Sequence, residues 1–170
     1  MKTLLLLRHA KSSWDNPGGR DFDRPLAPRG RRTAPLIAGH LRDRQLLPDL
    51  VLCSTARRAR ETYDLVVPAV GGSAIQFEQT LYLATPATLL RLVQATPSTV
   101  ERLLLVGHNP GLQQFAALLA GSGDAAARER IQAKFPTAAL AIITFPGASW
   151  AEIAPGSGQL ESFVVPRDLA

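Results

Sequence analysis

The sequence predicts an α/β fold, a three-layer αβα sandwich with a mostly parallel central sheet and an antiparallel C-terminal hairpin. Three short aliphatic runs show no alternation with polar residues, which is typical of strands buried on both faces. Stretches with helical periodicity stand between these runs, and this order favours a parallel sheet with helices on both sides. Beyond residue 138 the pattern changes to short apolar runs separated by turn residues, as in a hairpin.

The hydrophobic pattern locates the elements in chain order. The predicted strands of the first part are Lys2–Leu7, Leu50–Cys53, Ile75–Glu78 and Arg102–Val106. The predicted helices are a stretch from about Arg29 to Pro48, Thr55–Val67, Pro86–Gln94 and a helix carrying Leu112, Phe115, Ala116 and Leu119. Between the first strand and the first helix, Ser12–Arg29 is rich in Gly and Pro and is expected to be a long loop. Long loops in small domains are usually functional.

The C-terminal part is expected to form a hairpin. Its strands are predicted at Ala138–Phe145 and Trp150–Ile153, with Pro146-Gly147-Ala148-Ser149 as the turn and Phe163–Val165 as a last strand. The chain contains no internal repeat, low-complexity tract or linker, so residues 1–170 are expected to be one domain.

Composition restricts the class of protein. Hydrophobic residues make up 46% and charged residues 19% of the 170 residues, a globular balance that excludes collagen, coiled coil and general disorder. No apolar run approaches the ~20 residues of a membrane helix. Four leucines near the start are followed by Arg8-His9 rather than by a signal-peptide cleavage site. A single cysteine suits a reducing compartment, so we expect a cytoplasmic protein without a membrane partner.

Positive charge is concentrated in the first third of the chain. Residues 1–60 carry 13 Lys and Arg against five Asp and Glu, and 16 of the 19 basic residues are arginine. The planar guanidinium group suits phosphate and carboxylate, so this bias indicates a phosphate site or an acidic partner. Nucleic acid is a less suitable partner, because an aromatic content of 6% offers little for base stacking.

Titratable side chains follow the predicted buried strands. Arg8 and His9 follow the first strand, Ser54 and then Arg58 follow the second, and His108 follows the Arg102–Val106 run. Ligands of open α/β sheets bind outside the carboxyl ends of the strands, and helix N-termini bind anions. We therefore expect these side chains to converge on an anion site.

Other phosphate chemistries do not match the motifs. The sixth residue after Cys53 is Ala59, so the Cys-x5-Arg pattern of thiol phosphatases is absent, and Asp21-Phe22-Asp23 lies in the long loop rather than directly after a strand. The chain contains neither a P-loop, nor Gly-x-Gly-x-x-Gly after a strand, nor a Gly-x-Ser-x-Gly elbow. Histidine remains as the nucleophile.

Several segments together resemble one family. Leu7-Arg8-His9-Ala10 resembles the Arg-His-Gly signature of the histidine phosphatase (phosphoglycerate mutase-like) superfamily, and residues 7–15 are similar to its SixA-type phosphohistidine phosphatase branch. The resemblance extends over nearly the whole chain. The further matching blocks are Asp21–Leu26 with Arg29-Gly30, Cys53–Thr62, Leu81-Tyr82, Val106–Gly111 and Phe163–Arg167.

The resemblance implies a role for each matching residue. His9 would be the nucleophile that becomes phosphorylated, Arg8 and Arg58 would bind the phosphoryl oxygens, and His108 would be the second histidine at the phosphate. Arg24 is expected to make a further phosphate contact. The resemblance implies no metal and no cofactor.

The expected substrate depends on the proton donor. Many relatives place a glutamate after the third strand; Glu78 is the candidate general acid here, with Asp15 and Asp23 as weaker ones. Phosphohistidine has a leaving imidazole that needs less proton assistance than an alkoxide, which favours phosphohistidine on a protein as the substrate. Two alternatives stay open: a small phosphomonoester such as a sugar or nucleotide phosphate, and a non-catalytic phosphate-binding module.

Overall fold

A computed structural model describes residues 1–16, 18–147 and 149–170. Within them, seven strands form one sheet with helices on both faces. The strands are β1 (Lys2–Arg8), β2 (Leu50–Ser54), β3 (Ala74–Glu78), β4 (Arg102–Gly107), β5 (Ala120–Gly123), β6 (Leu140–Phe145) and β7 (Gly158–Val164). The helices are α1 (Pro28–Asp43), α2 (Arg57–Val66), α3 (Pro86–Gln94), α4 (Gly111–Leu119), α5 (Ala125–Ala133) and α6 (Pro166–Leu169).

The sheet is mixed, with its strands in the order β3-β2-β4-β1-β6-β7-β5. The four strands from β3 to β1 run parallel, whereas β6 is antiparallel to both β1 and β7. The predicted α/β class, with a mostly parallel sheet and an antiparallel C-terminal hairpin, is confirmed. The sequence missed β5, which pairs parallel with β7.

Two hydrophobic clusters cover the two faces of the sheet. Leu5 and Leu7 of β1 belong to the cluster beneath α1 and α2, whereas Leu4 and Leu6 belong to the cluster beneath α3, α4 and α5. All four leucines are fully buried. Neighbouring residues of a strand point to opposite faces, so an unbroken aliphatic run is what a strand between two helical layers requires. These clusters make the three layers of the sandwich.

The C-terminal hairpin is built differently from the prediction. The partner of β6 is β7, and the predicted strand Trp150–Ile153 is wrong because Trp150–Glu152 forms a 3₁₀ turn. Trp150 is fully buried and its indole N–H donates to the Val100 carbonyl at 2.8 Å. Ala148, in the predicted turn, and Pro17, in the long loop, lie outside the described residues.

The predicted functional edge is formed by the carboxyl ends of the three central parallel strands. Arg8 lies opposite Gly107 in the β1–β4 pairing, and Cys53 lies opposite Val106 in the β2–β4 pairing. The residues that follow these strands are therefore neighbours at one edge. The long loop returns to the same edge, where Ser12 forms a single antiparallel bridge with Leu26 before α1 begins.

Candidate active site

The backbone around His9 is held by strands on both sides. The His9 N–H donates to the Gly107 carbonyl at 3.1 Å, which extends the β1–β4 pairing past the end of β1. On the other side, the Ala138 N–H donates to the carbonyls of Arg8 and His9, at 3.0 Å each. Ala138 has a φ of 61°, a left-handed conformation that non-glycine residues rarely adopt and that clusters at functional sites.

The ring of His9 has one nitrogen committed to the backbone. Nδ1 lies 2.7 Å from the Ala10 carbonyl, which can only accept, so Nδ1 carries the proton and Nε2 the lone pair. The Arg58 Nε–H donates to this Nε2 at 3.3 Å. His9 is only 6% exposed. Burial, and to a smaller extent the neighbouring positive charges, hold the pKa of His9 well below its usual range, so the ring is neutral near pH 7.

Arg58, the second residue of α2, is oriented by the long loop. It is 4% exposed, and its Nη1 and Nη2 donate to the backbone and carboxylate oxygens of Asp21, at 2.7 and 3.0 Å. The same carboxylate accepts from Arg24 at 3.1 Å and from the Tyr82 hydroxyl at 2.6 Å. The Tyr82 hydrogen bond, followed by the arginine charges, lowers the pKa of Asp21. One carboxylate thus positions two guanidinium groups.

Arg8 ends β1 and is fixed through a single hydrogen bond. Its Nη1 donates to the Phe135 carbonyl at 3.0 Å, and Asn109 Nδ2 donates to the same carbonyl at 2.9 Å. Its Nε is buried without a hydrogen-bond partner among the described residues. Burial, followed by the charge of Arg58, lowers the pKa of Arg8. A buried cationic donor without a partner is suited to binding an anion.

His108 follows β4 and lies beside His9, with 5.3 Å between the ring centroids. Its Nε2 is 2.8 Å from the Ser54 hydroxyl, while its buried Nδ1 has no partner among the described residues. The Ser54 oxygen also accepts the Ala56 N–H at 3.2 Å. When the Ser54 hydroxyl donates to Nε2, the ring proton of His108 lies on Nδ1. Burial, followed by the charge of Arg58, lowers the pKa of His108 to about 3.

These side chains surround a cavity of about 180 Å³. Its walls are Arg8, His9, Lys11, Ser12, Trp14, Arg24, Arg58, His108, Asn109 and Thr137. Four of them are cations, and among the described residues no carboxylate belongs to the walls. Trp14, 68% exposed, lies at the rim, with the Arg24 guanidinium 3.3 Å from its ring centroid. The cavity thus presents positive charge and two neutral imidazoles, a combination complementary to a phosphoryl dianion.

The structure brings the four main predicted site residues together, with Arg24 beside them. Glu78 is not among the described residues that form the cavity walls. It ends β3 in register with Ser54, one strand further out from the cavity. Asp15 and Asp23 do not line the cavity either, and Asp23 pairs with Arg20 in the loop.

Sequence reasoning missed the residues that orient this set. Asp21 and Tyr82 belong to matching blocks but received no role, and Ser54 was expected at the anion site without a named partner. The Phe135 carbonyl carries no sequence signal because any residue has a carbonyl oxygen. The position of Ser54 at the end of β2, level with His108, was the one signal that the sequence offered for its contact with that ring.

Cys53, the one cysteine of the sequence, is buried, and burial raises the pKa of its thiol, which suits a core residue rather than a nucleophile.

Among residues 1–16, 18–147 and 149–170, no three His, Cys, Asp or Glu side chains cluster as metal ligands would. In the same residues, every helix is too short or too polar to span a bilayer.

Comparison with known proteins agrees with this geometry. Residues 4–82 match the model of the histidine phosphatase superfamily (branch 1). An uncharacterised protein of Mycobacterium tuberculosis is 44% identical over 163 residues, which are 95% of this chain and all of that protein. The chain belongs to the histidine phosphatase superfamily and is a phosphatase of that class.

Solved structures narrow the assignment to one branch. A protein from Nakamurella multipartitia assigned to the SixA phosphohistidine phosphatases superposes with a TM-score of 0.84 and 29% identity, covering 97% of this chain and 96% of the other. A second one, from Agrobacterium tumefaciens, gives a TM-score of 0.80 and 34% identity, covering 97% and 99%. The chain is thus a member of the SixA-type branch, and its substrates are phosphorylated molecules.

Proposed function

We propose that this protein removes the phosphoryl group from phosphohistidine on another protein, through a covalent phosphohistidine intermediate on His9. The observation that carries this proposal is the cavity itself. It combines a neutral, oriented imidazole with four cations, and among the described residues no carboxylate lines it. The two neighbouring structures assigned to the SixA phosphohistidine phosphatases support the same substrate class.

His9 is suited to act as the nucleophile. The Ala10 carbonyl fixes the proton on Nδ1, so the Nε2 lone pair is available without a general base. In the first step Nε2 attacks the phosphorus in line, a P–N bond forms, and the P–N bond to the substrate imidazole breaks. The electron pair of the broken bond leaves with that imidazole, which departs neutral if its ring was protonated on the other nitrogen. The Arg58 Nε–H that faces Nε2 then turns to a phosphoryl oxygen.

Three further side chains stabilise the charge that spreads over the phosphoryl oxygens. Arg8 offers its unpartnered Nε, Arg24 contributes at the rim, and the Nδ1–H of His108 donates from the opposite side. Phosphoryl transfer requires positioning and charge stabilisation more than covalent work by the protein. In the second step water attacks the phosphorus, the P–Nε2 bond breaks with its electron pair returning to His9, and inorganic phosphate leaves with the oxygen and both protons of the water.

The walls of the cavity favour phosphohistidine over an alkyl phosphate ester. An alkoxide leaving group has to be protonated as it departs, and general acids in this role are usually carboxylic acids or imidazolium. The described residues of the walls include no carboxylic acid, and both imidazoles are neutral because their pKa values are lowered. An imidazole leaving group has no such need. The excess of positive charge in residues 1–60 would attract an acidic protein partner.

The test compares a histidine-phosphorylated protein with an alkyl phosphate ester, such as a sugar phosphate, as substrates, because an ester with a p-nitrophenolate leaving group needs no general acid. We expect the wild type to prefer the phosphoprotein by at least about 100-fold in kcat/KM, and His9→Ala to lose about 10³-fold or more with both. Wild type mixed with substrate and quenched should carry acid-labile, alkali-stable phosphate on His9. The His40→Ala variant, whose histidine lies on α1 outside the cavity, is the matched control and should keep the wild-type rate.

Three outcomes would contradict the proposal. Preference for the ester, abolished by Glu78→Gln, would assign a small phosphomonoester as substrate and Glu78 as general acid. Turnover by His9→Ala at the wild-type rate would exclude the covalent route. Failure of the wild type to incorporate label or release phosphate would leave a phosphate-binding module.

A further inference from the structure

A second cavity of about 200 Å³ lies next to the catalytic one, and Thr137 lines both. Its remaining walls are Arg29, Thr33, Lys134, Pro136, Val165, Pro166 and Arg167. The three basic residues come from three separate parts of the fold: the first turn of α1, the residue after α5 and the short helix α6. Three cations that are distant in sequence therefore converge on one small volume.

The cations of this second cavity lack carboxylate partners. Among the described residues no Asp or Glu lines the cavity, and none of Arg29, Lys134 and Arg167 forms an ion pair. Four other exposed arginines pair with carboxylates at 2.8 to 3.2 Å, whereas ones that are unpaired in the described part of the chain, such as Arg32, Arg44 and Arg60, line neither cavity. Those pairs are Arg20–Asp23, Arg31–Glu61, Arg57–Glu61 and Arg130–Asp168. Positive charge is thus left uncompensated at this place.

The second cavity is connected to the first through the loop that separates them. Lys134 and Thr137 bracket Phe135, whose carbonyl accepts hydrogen bonds from Arg8 and Asn109 of the catalytic cavity. Phe135 itself is buried and 1% exposed, so the loop is anchored in the core. A group bound in the second cavity therefore lies at a fixed position relative to the phosphoryl site.

We propose that the second cavity binds a carboxylate side chain of the same protein whose phosphohistidine occupies the catalytic cavity. This inference rests on the proposed function and names the feature by which such a partner is recognised. Guanidinium forks bind carboxylates in a bidentate manner, and an acidic residue near the phosphohistidine is the anion that a protein partner supplies. The two adjacent cavities then recognise two anions on one surface.

The test uses two histidine-phosphorylated peptides that differ only in flanking residues, Glu and Asp in one and Gln and Asn in the other. The wild type should show a KM about tenfold lower for the acidic peptide with kcat unchanged, because three exposed ion pairs each contribute modestly. The variant Arg29→Gln, Lys134→Gln, Arg167→Gln should lose this preference. It should keep the wild-type kcat/KM for p-nitrophenyl phosphate, which reaches only the catalytic cavity.

The matched control removes three exposed arginines that line neither cavity, in the variant Arg32→Gln, Arg44→Gln, Arg60→Gln. This variant should retain the lower KM for the acidic peptide. If it loses that preference, general charge attraction explains the preference and the second cavity is not its cause. Equal KM values for the two peptides with the wild type would overturn the inference while leaving the proposed function intact. Hydrolysis of neither peptide would overturn both. If the triple variant raised KM only for a small substrate with two phosphates, and not for the acidic peptide, a protein partner would be excluded.

Discussion

Each end of β1 carries a cation on the same face of the strand. The two cations differ in how far the protein satisfies their hydrogen bonds. Lys2 begins the strand and Arg8 ends it, about 20 Å away. Leu4 and Leu6 lie between them on the same side and are fully buried in one hydrophobic cluster. Burial of a cation is costly unless the charge is hydrogen-bonded. Lys2 is buried and Arg8 is half-buried with its Nε fully buried, so this cost applies at both ends.

At the amino end of β1, groups of the protein itself offset the cost of burying the cation. Lys2 is 2% exposed, and its ammonium group donates to the carbonyls of Ser98 and Val100, with Glu101 3.7 Å away. The ammonium also lies 5.9 Å from the centroid of the Trp150 ring. Every part of this cation has a partner, which is the mark of a structural residue.

At the carboxyl end of β1, this cost is only partly offset. The Nε of Arg8 and the nearby Nδ1 of His108 are buried without partners among the described residues. Leaving a buried polar group without a hydrogen-bond partner costs about 1–3 kcal/mol. Burial and charge therefore do not distinguish a structural cation from a ligand-binding one. The distinction lies in whether hydrogen-bond acceptors of the protein satisfy the cation.

Between the two ends of β1, the largest expected effect comes from replacing Arg8. Arg8→Met should lower kcat/KM by about 10²–10³-fold, because one oriented donor to the phosphoryl oxygens is lost. Its free energy of unfolding should stay within about 1 kcal/mol of wild type, since the lost bond to the Phe135 carbonyl is offset by removal of an unpartnered buried donor. Steady-state kinetics and urea denaturation measure the two quantities. If Arg8→Met lost several kcal/mol of its free energy of unfolding and kept a normal kcat/KM, Arg8 would be a structural cation like Lys2.

The opposite result is expected at the other end of the strand. Lys2→Met should lower the free energy of unfolding by about 2 kcal/mol, because the Ser98 carbonyl loses its donor while Val100 keeps the Trp150 indole. kcat/KM at 25 °C should remain within about twofold of wild type, since the site is a strand length away. Urea denaturation followed by the same kinetic assay checks both. Impaired kinetics in a fully folded Lys2→Met protein would contradict this prediction.

Low pH should destabilise the folded protein through His108, whose buried Nδ1 lies at the carboxyl end of the sheet. The folded pKa of His108 is about 3 against 6.5 for a free histidine, so between these pH values the unfolded chain binds a proton that the folded chain does not. Stability therefore falls as pH drops below about 6.5, by about 2 kcal/mol between pH 7 and 5 for this residue. His9, with its pKa also lowered, adds to the loss.

The variant His108→Gln tests this linkage. The difference between its free energies of unfolding at pH 7 and pH 5 should be about 2 kcal/mol smaller than for wild type. Urea denaturation at the two pH values measures it. Lys2→Met serves as the control, because it should lower both free energies equally and leave their difference unchanged. A pH dependence in His108→Gln equal to that of wild type would show that this imidazole titrates normally.

The core of the fold and the position of His9 at the end of β1 could be predicted because their signals are local. The aliphatic runs of β1, β2 and β4 reflect burial on both faces, and the residues that follow a parallel strand must meet at one edge. The strand assignment therefore predicted that His9 and His108 lie at the same edge of the sheet, but not that β1 and β4 are neighbours. The buried state of Lys2 could not be predicted, since the carbonyls of Ser98 and Val100 that satisfy it are distant in sequence.

The C-terminal elements were harder because tertiary contacts decide them. Trp150 resembles a strand residue by composition, yet it fills the core beside Lys2 from a 3₁₀ turn. The strand β5 has the sequence Ala-Gly-Ser-Gly and contains no strong strand former. The strand pairs with β7 and passes close to Gly156. A Cβ at Gly121 would lie 2.0 Å from the Gly156 carbonyl oxygen, so only glycine allows this close approach. Such packing leaves no periodic pattern in the sequence.

The smallest effect is expected from the carboxylate behind the cavity. Asp21→Asn should lower kcat about tenfold, because Arg58 and Arg24 lose the charged acceptor that orients them. KM should not rise, since removing a negative charge beside the cavity makes the cavity more attractive to a phosphate dianion. The matched control is Asp23→Asn in the same 3₁₀ turn, Asp21–Asp23. Within the described part of the chain its carboxylate pairs only with the exposed Arg20, so this variant should keep the wild-type kinetics.

The division between kcat and KM distinguishes positioning by Asp21 from a merely structural role. If Asp21 only held the loop in place, its loss would loosen the Asp21–Asp23 turn and raise KM together with a fall in kcat. Tyr82→Phe, which removes one hydrogen bond to the carboxylate and leaves its charge, should reproduce a fraction of the kcat effect with the same KM. A raised KM in both variants would mean that the cavity depends on Asp21 for its shape. The carboxyl end of β1 would then resemble the amino end, with partners serving stability.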